Sequence, residues 1–550
     1  MTGMNLLVIG GVAAGASFAA RARRLSEAAR ITIVERGADV SFANCGLPYH
    51  IGGEIAARDA LAVHTPESLK ALLNLDVRTG CDAQSIDRVG KRVRVRDARS
   101  GQSEWLAYDK LMLAPGAAPL VPPLPGIDDA RIHTLRNLAD MDRIASAAQA
   151  GRRALVVGAG FIGLEMAEQL QRKGLSVRLV EMQAQVLPQM DARMTALLEG
   201  ELRRNGVELH LGEQVVGFEP DASQLRCRLA SGAVIDADLV VMSIGVRPET
   251  ALARDAGLEL GARGHIVVSD SMQTSDPDIY AAGDAVQTTD RILGGPTVVA
   301  LGGPANRQGR VAADHIFLGA RARPYPGSLG TAIVRAFGVV AGVTGWTEQA
   351  LQKAGKSYAA VTVNDYQHAS YYPGATPLML KIVWDEDSGR VLGAQATGAE
   401  GVDKRIDVLA TAISGRMDVD DLCHLELAYA PPFGSAKDIV NLAGFAASNQ
   451  RAGLVASVDR LPADAAVQCV DVRGKELADA YPVAGAVNIP FLRLRENLDA
   501  LDRSRPVVAL CSLGKMSYFA ARVLAQNGFS VKSLAGGIRA TIDASMPAKL

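Results

Sequence analysis

The chain has 550 residues, 48% of them hydrophobic and 21% charged, and a formal net charge of -1. That balance excludes a disordered polyelectrolyte and supplies no basic field for nucleic acid or an anionic membrane. The 55 glycines exceed the usual level of about 7%, which points to tight βα turns and backbone approaching phosphate.

No apolar run reaches the roughly 18 residues of a membrane helix, so no membrane insertion is expected. The start, MTGMNLLVIGG, lacks a basic n-region; no signal peptide and a cytoplasmic location are expected. The six cysteines, Cys45, Cys81, Cys227, Cys423, Cys469 and Cys511, are scattered without a CxxC or a Cys/His cluster. Neither a disulfide scaffold nor a metal site is expected.

Residues 5–10 (NLLVIG) predict a strand, followed by a helix through Arg21, Arg23 and Arg24 and a second strand at 31–35 (ITIVE). This is a βαβ unit. Its turn reads Gly10-Gly11-Val12-Ala13-Ala14-Gly15, with Val12 where the strict G-x-G-x-x-G fingerprint has a glycine. Glu35 stands where a ribose-binding carboxylate belongs. The pattern recurs at 153–181, where Gly158, Gly160 and Gly163 complete the fingerprint and Glu181 ends the next strand. A carboxylate there binds both ribose hydroxyls and repels a 2′-phosphate, so NADH is expected over NADPH.

Strands VELHLG and ADLVVMSIG complete the second unit. Near 273 the reading changes. Tyr280-Ala281-Ala282-Gly283-Asp284 predicts a strand-to-helix turn that sets a backbone N–H and Asp284 against a ribityl-phosphate chain. Two dinucleotide sites, one with this return segment, imply FAD plus a nicotinamide. From 326, strand-like segments precede helix-like stretches at 401–444, an α+β layer. Residues 445–463 read as a connection, and the last hundred residues (VQCVDVR, AVNIP, PVVALC, a helix, SVKSLAGG) as a separate α/β domain.

Over residues 1–444 the sequence resembles the pyridine nucleotide–disulfide oxidoreductases. It is most similar to their single-cysteine branch of coenzyme A disulfide reductases, NADH oxidases, NADH peroxidases and persulfide reductases. The carrying segment is Ser41-Phe42-Ala43-Asn44-Cys45-Gly46-Leu47-Pro48. Dithiol members have two close cysteines here; the resemblance implies that Cys45 pairs with a thiol arriving with substrate. A helix starting after Cys45 is expected to favour its thiolate.

His368-Ala369-Ser370-Tyr371-Tyr372-Pro373-Gly374 and Ala428-Tyr429-Ala430-Pro431-Pro432-Phe433-Gly434 are similar to segments of the coenzyme A disulfide reductases. The resemblance implies that Tyr371 and Tyr429 reach the flavin-side cysteine of the other subunit of a homodimer, where a phenol can protonate a departing thiolate. Tyr372 is the competing assignment.

The resemblance also implies flavin and nicotinamide contacts at Gly10, Val12, Ala13, Ala14, Gly15, Glu35, Arg36, Ser41, Asn44, Ala114, Pro115, Gly116, Gly158, Gly160, Phe161, Ile162, Gly163, Glu181, Gly245, Gly283, Asp284, Ala300 and Leu301. Pro115 departs from the A-T-G of relatives. Coenzyme A, a substrate or bound ligand, carries phosphates that need cations and donors. Those expected are Arg21, Arg23, Lys70, Asn306 and Arg310, with Ser41, Phe42 and Asn44 beside the thiol.

Residues 464–550 resemble a rhodanese domain, on Cys469-Val470-Asp471-Val472-Arg473, Gly485-Ala486-Val487-Asn488-Ile489-Pro490 and the loop Cys511-Ser512-Leu513-Gly514-Lys515-Met516-Ser517. Such a loop aims N–H groups at the cysteine sulfur, so Cys511 is expected to carry a persulfide. Met516 replaces the usual loop arginine, which removes a charge that would hold thiosulfate, and Pro482 replaces a common histidine.

The expected fold class is therefore α/β, with two Rossmann-like domains for FAD and NADH, an α+β dimerisation domain and a C-terminal α/β rhodanese domain. The expected boundaries are 1–150 and 273–325 for FAD, 151–272 for NADH, 326–446 for dimerisation, a 447–463 linker and 464–550. The expected activity is NADH-dependent reduction of coenzyme A disulfide, coenzyme A persulfide or polysulfide through Cys45, with Cys511 handling sulfane sulfur. The competing readings are an NADH oxidase or peroxidase cycling Cys45 through sulfenic acid, and a low-turnover redox or sulfur-relay scaffold.

Overall fold

The apolar run Leu6 to Ile9 is buried on both faces, as a parallel strand between covering layers must be. In the computed structural model, which describes residues 3–221, 224–464 and 466–540, Leu6 and Val8 enter one core with Ile31, Ile33, Met112 and Tyr280. Leu7 and Ile9 enter the opposite core with Val34, Leu111, Leu113 and Ile279. The period of two is the alternation of Cβ direction along a strand. Five parallel strands result, in the order Ile279–Ala281, Lys110–Leu113, Asn5–Ile9, Arg30–Glu35, Asp76–Thr79. The strand at Ile279–Ala281 thus joins the sheet begun at Asn5, although most of three hundred residues separate them.

The chain divides into two compact units. One holds Met1–Gly158, Glu165–Val180 and Glu213–Gly330; the other holds Ala159–Leu164, Glu181–Gly212 and Thr331–Leu550. In the first, helix Ala13–Leu25 packs on helix Gly302–Leu318. The seam is built from small residues: Ala14, Ala19 and Ala22 meet Ala305, Ala312 and Ala313. Gly309 lies in that seam, and a Cβ there would overlap the Ala14 carbonyl. Short side chains are what let the two axes come close. The same unit carries a second parallel set, in which Arg153–Val157 pairs with Ser176–Glu181 on one side and Leu239–Met242 on the other.

In the second unit a five-stranded antiparallel sheet runs in the order Ala332–Ala336, Val339–Gly345, Val391–Gly398, Pro377–Trp384, Ala359–Tyr366. Helices Val402–Ser414 and Ile439–Arg451 pack on it, which is the expected α+β layer. The C-terminal sheet is parallel, in the order Ala456–Val458, Val531–Leu534, Val507–Leu510, Gln468–Asp471, Ala486–Asn488. Its central strand also alternates, Val507 and Ala509 toward one core and Val508 and Leu510 toward another.

One expectation is corrected. Residues 447–463 are not a free linker: helix Ile439–Arg451 continues into them, and Ala456–Val458 is an edge strand paired with Val531–Leu534. The stretch 541–550 of the expected C-terminal domain lies outside the described residues. No helix among the described residues is long and apolar enough to cross a membrane.

The helix seam makes a direct prediction. Gly309→Val forces a branched side chain against backbone and is expected to cost about 1–3 kcal/mol, the range for overpacking a tight interior. Calorimetry should record a lower melting temperature for the first unit's transition.

Candidate active site

The strand Asn5–Ile9 ends at Gly10, which turns with a φ of 94° and donates its N–H to the Val34 carbonyl at 2.9 Å. A side chain at Gly10 would run into the Ala114 carbonyl, and one at Gly15 into Gly10 itself. Helix Ala13–Leu25 opens at Val12 with no side-chain cap and no acid in its first turn. The free N–H groups of Ala13, Ala14 and Gly15 suit a pyrophosphate. Glu35, at the end of the next strand, accepts the Gly11 N–H on Oε2 and the Gly37 N–H on Oε1, both at 2.8 Å. The carboxylate that would face a ribose therefore also holds the turn in shape.

The second turn repeats this construction. Gly158 has a φ of 101° and donates to Val180 O at 2.8 Å. Glu181, buried, accepts the Ala159 N–H at 2.7 Å and the Gln183 N–H at 2.8 Å. The space over Gly160 is open except for Gln189 at its edge. Phe161, Ile162 and Gly163 form the first turn of helix Phe161–Arg172, and Gly245 borders open space after the strand Leu239–Met242.

The return segment arrives where expected. Ala282 donates to Leu113 O at 3.0 Å, and Gly283 sits against Ala14. Sequence reasoning missed the residue that secures it: the buried Gln308 amide oxygen accepts the Gly283 N–H at 2.8 Å. It missed Arg136 as well, whose guanidinium packs at Gly116 and lies 3.8 Å from Asp284. Burial raises the Asp284 pKa and Arg136 opposes the rise. Leu301 is the uncapped N-terminal residue of helix Gly302–Leu318, next to Ala300. Arg36 is held by Glu249 at 2.8 Å. Ala114 donates to Ile9 O at 2.8 Å, fixing Ala114-Pro115-Gly116 beside the first turn. Two glycine turns, each with a strand-end carboxylate and a helix whose first turn carries no acid, fit two dinucleotides.

Cys45 lies in a 3-10 turn, Asn44–Gly46, just before the short helix Leu47–Gly52. Ser41, at a φ of 48°, ties the loop to the first turn by donating to Gly11 O at 2.9 Å. Phe42 bridges Ala62, and Ala43 donates to Leu61 O at 2.8 Å. The residue is exposed, and its sulfur donates to Asn44 Oδ1 at 3.7 Å. The expected lowering of its pKa by the helix is reversed. Desolvation by the surrounding protein, then the Glu165 and Asp284 carboxylates, push the thiol up. Glu165, another residue the sequence did not single out, accepts from the Tyr49 hydroxyl at 3.3 Å.

The cations expected for substrate separate into two groups. Arg23 is corrected: it is buried and donates to the carbonyls of Leu73, Ser26, Glu27 and Asn74, so it serves the fold. Arg21 and Arg310 share Asp314, at 2.5 and 3.7 Å, and Asn306 accepts from Ser17 at 2.7 Å. Lys70 is exposed and donates to Asn74 Oδ1 at 2.8 Å.

In the second unit the two tyrosine segments are brought together. Ala369 donates to Gly434 O at 3.0 Å, and the Tyr371 and Tyr429 hydroxyls lie 3.3 Å apart. That hydrogen bond raises the Tyr371 pKa. Tyr371 is 75% and Phe433 71% exposed. Tyr372 packs edge-on against the buried His368. Arg405 supports both segments from within, paired with the buried Asp438 at 2.7 Å and donating to Gln367 O.

Cys511 is buried at the end of the strand Val507–Leu510. Its sulfur accepts the N–H of Gly514 at 3.1 Å and of Ser517 at 3.3 Å, with the Ser517 hydroxyl at 3.5 Å. Met516 is exposed. The other cysteines look inert: Cys81, Cys227 and Cys469 are buried, Cys423 half-buried, and burial pushes the Cys227 thiol up to about 12.

Comparison with known proteins agrees with this division of labour. The sequence matches the family model for pyridine nucleotide-disulphide oxidoreductases over residues 4–309, the dimerisation domain of that family over 332–439, and a rhodanese-like domain over 454–544. It is 35% identical over 445 residues to a coenzyme A disulfide reductase of Staphylococcus haemolyticus (strain JCSC1435), covering 80% of this chain and 99% of that protein. Reduced CoADR-RHD of Bacillus anthracis aligns with a TM-score of 0.95 at 42% identity, over 99% of this chain and 98% of its own. A NAD-dependent persulfide reductase from A. fulgidus aligns with a TM-score of 0.93 at 38% identity, over 98% and 100%.

The charge environment of Cys45 is testable. A neighbouring carboxylate disfavours the thiolate, so Glu165→Gln should move the pH profile of Cys45 alkylation to lower pH and speed the reaction at neutrality. An unchanged profile would mean that Glu165 does not act on the sulfur.

Proposed function

The chain belongs to the pyridine nucleotide-disulphide oxidoreductase family, and we propose that within it the protein is an NADH-dependent reductase of coenzyme A disulfide, coenzyme A persulfide or polysulfide. The observation that carries this reading is one exposed cysteine, Cys45, tied to the first nucleotide turn through Ser41, with no cysteine between it and Cys81. The similarity to coenzyme A disulfide reductases and to a persulfide reductase supports the choice of substrate class.

FAD, when bound, supplies two-electron transfer between a nicotinamide and sulfur. The rest is work for the chain. The Cys45 thiolate attacks one sulfur of coenzyme A disulfide, forming a mixed disulfide and expelling the other coenzyme A as a thiolate. With a persulfide, attack on the outer sulfur expels coenzyme A thiolate and leaves a persulfide on Cys45; attack on the inner sulfur expels hydrosulfide. The phenols of Tyr371 and Tyr429, hydrogen-bonded to one another, are suited to protonate the leaving thiolate. In this reading they come from the partner of a homodimer, which the dimerisation-domain match supports. Arg21, Asn306, Arg310 and Lys70 offer donors for the phosphates of coenzyme A. Glu181 disfavours a 2′-phosphate, so NADH is the preferred donor. Cys511, with two N–H groups on its sulfur, handles sulfane sulfur. The proposed location is the cytoplasm.

Anaerobic NADH turnover tests the assignment. Cys45→Ser should lose about a thousandfold or more with coenzyme A disulfide, as removal of a nucleophile does. Cys511→Ser should keep that turnover and lose sulfur transfer from persulfide donors. Full activity of Cys45→Ser would refute the mechanism.

A further inference from the structure

The strand Ala359–Tyr366 is an edge of the antiparallel sheet. One of its residues, Asn364, leaves that sheet's business altogether. Its side chain is buried, and Nδ2 donates to Gly536 O at 2.8 Å and to Leu513 O at 3.4 Å. The amide orientation follows from its partners: turned over, its oxygen would face two carbonyls.

These two carbonyls belong to the two loops that make the Cys511 cradle. Leu513 C=O and Gly514 N–H are ends of a single peptide group, and that N–H points at the Cys511 sulfur at 3.1 Å. Gly536 packs directly against Gly514, and a Cβ on Gly514 would crowd the Gly536 and Gly537 nitrogens. Backbone bonds lace the loops together, with Ile538 N–H on Cys511 O at 2.9 Å and Arg539 N–H on Ser512 O at 3.1 Å. Neither of these bonds involves the 513–514 peptide, whose oxygen faces Asn364 Nδ2 at 3.4 Å.

We propose that Asn364 is a positioning residue for Cys511. From the antiparallel sheet it orients and polarises the peptide whose N–H stabilises negative charge on the sulfur. The inference rests on the proposed sulfur-carrying role of Cys511. It adds that the C-terminal sulfur site is completed by a side chain from outside its own domain. With Met516 in place of the loop's usual arginine, the Gly514 and Ser517 N–H groups are the backbone donors on the sulfur.

The test is the pH profile of Cys511 alkylation in the full-length flavoprotein, read by mass spectrometry of the Cys511 peptide. Asn364→Leu keeps the volume and removes both bonds. It should move the profile to higher pH and slow alkylation about three- to tenfold at neutrality, the span of one or two modest hydrogen bonds. Asn449→Leu is the comparison, since it removes another contact between the same two regions, the 2.9 Å bond to the Tyr518 hydroxyl, without touching the cradle. It should leave the profile in place. Should Asn364→Leu fail to fold, Asn364→Ser, with one donor hydrogen on a shorter arm, should shift the profile in the same direction. No shift in either Asn364 variant, or an equal shift in Asn449→Leu, would overturn the proposal. Normal sulfur transfer by Cys511→Ser would instead refute the carrier role and leave the alkylation result standing.

Discussion

Disulfide exchange needs two sulfurs, and the loop at Cys45 carries one. The next cysteine in the chain, Cys81, is buried in a strand of its own. In the proposed mechanism a reducing equivalent that reaches Cys45 leaves onto a sulfur brought by the substrate. On the helices Ala13–Leu25 and Gly302–Leu318, Arg21 and Arg310 share Asp314 and Asn306 accepts from Ser17. Desolvation by the surrounding protein, with the Glu165 and Asp284 carboxylates, raises the Cys45 pKa. Cys511 differs in its geometry, a buried sulfur that accepts the N–H groups of Gly514 and Ser517.

Both nucleotide turns rest on the same device. A glycine at positive φ ends the first strand, and the carboxylate ending the second strand accepts the next residue's N–H: Gly11 onto Glu35, Ala159 onto Glu181. Each acid therefore braces its loop with both oxygens, Glu35 on Gly11 and Gly37 and Glu181 on Ala159 and Gln183. This is why Val12 can replace the middle glycine without the turn changing its build. What a glycine there protects is the backbone's approach to phosphate, not the turn.

Features set by neighbours in sequence were readable from sequence: both glycine turns, Glu35, Glu181, the Cys511 loop and the strand-to-helix turn at Tyr280–Asp284. Features set by distant partners were not. Arg21 and Arg23 look alike in one helical turn, yet two residues apart they face different sides of the helix. One meets Asp314, while the other is drawn inside by the carbonyls at the end of helix Pro66–Leu73. Gln308, Arg136, Glu165 and Asn364 act through contacts across long stretches of chain, and no local spacing announces them. Ala456–Val458 has no strand signal beyond three residues and exists because Val531–Leu534 offers it an edge.

The central claim is that Cys45 forms a mixed disulfide with the substrate's sulfur. The direct measurement is mass spectrometry of the flavoprotein quenched during anaerobic reaction with coenzyme A disulfide and limiting NADH, digested without reductant. The account predicts coenzyme A on the Cys45 peptide, removed by further NADH. Coenzyme A on another cysteine with Cys45 unmodified, or no adduct at all during turnover, would contradict it.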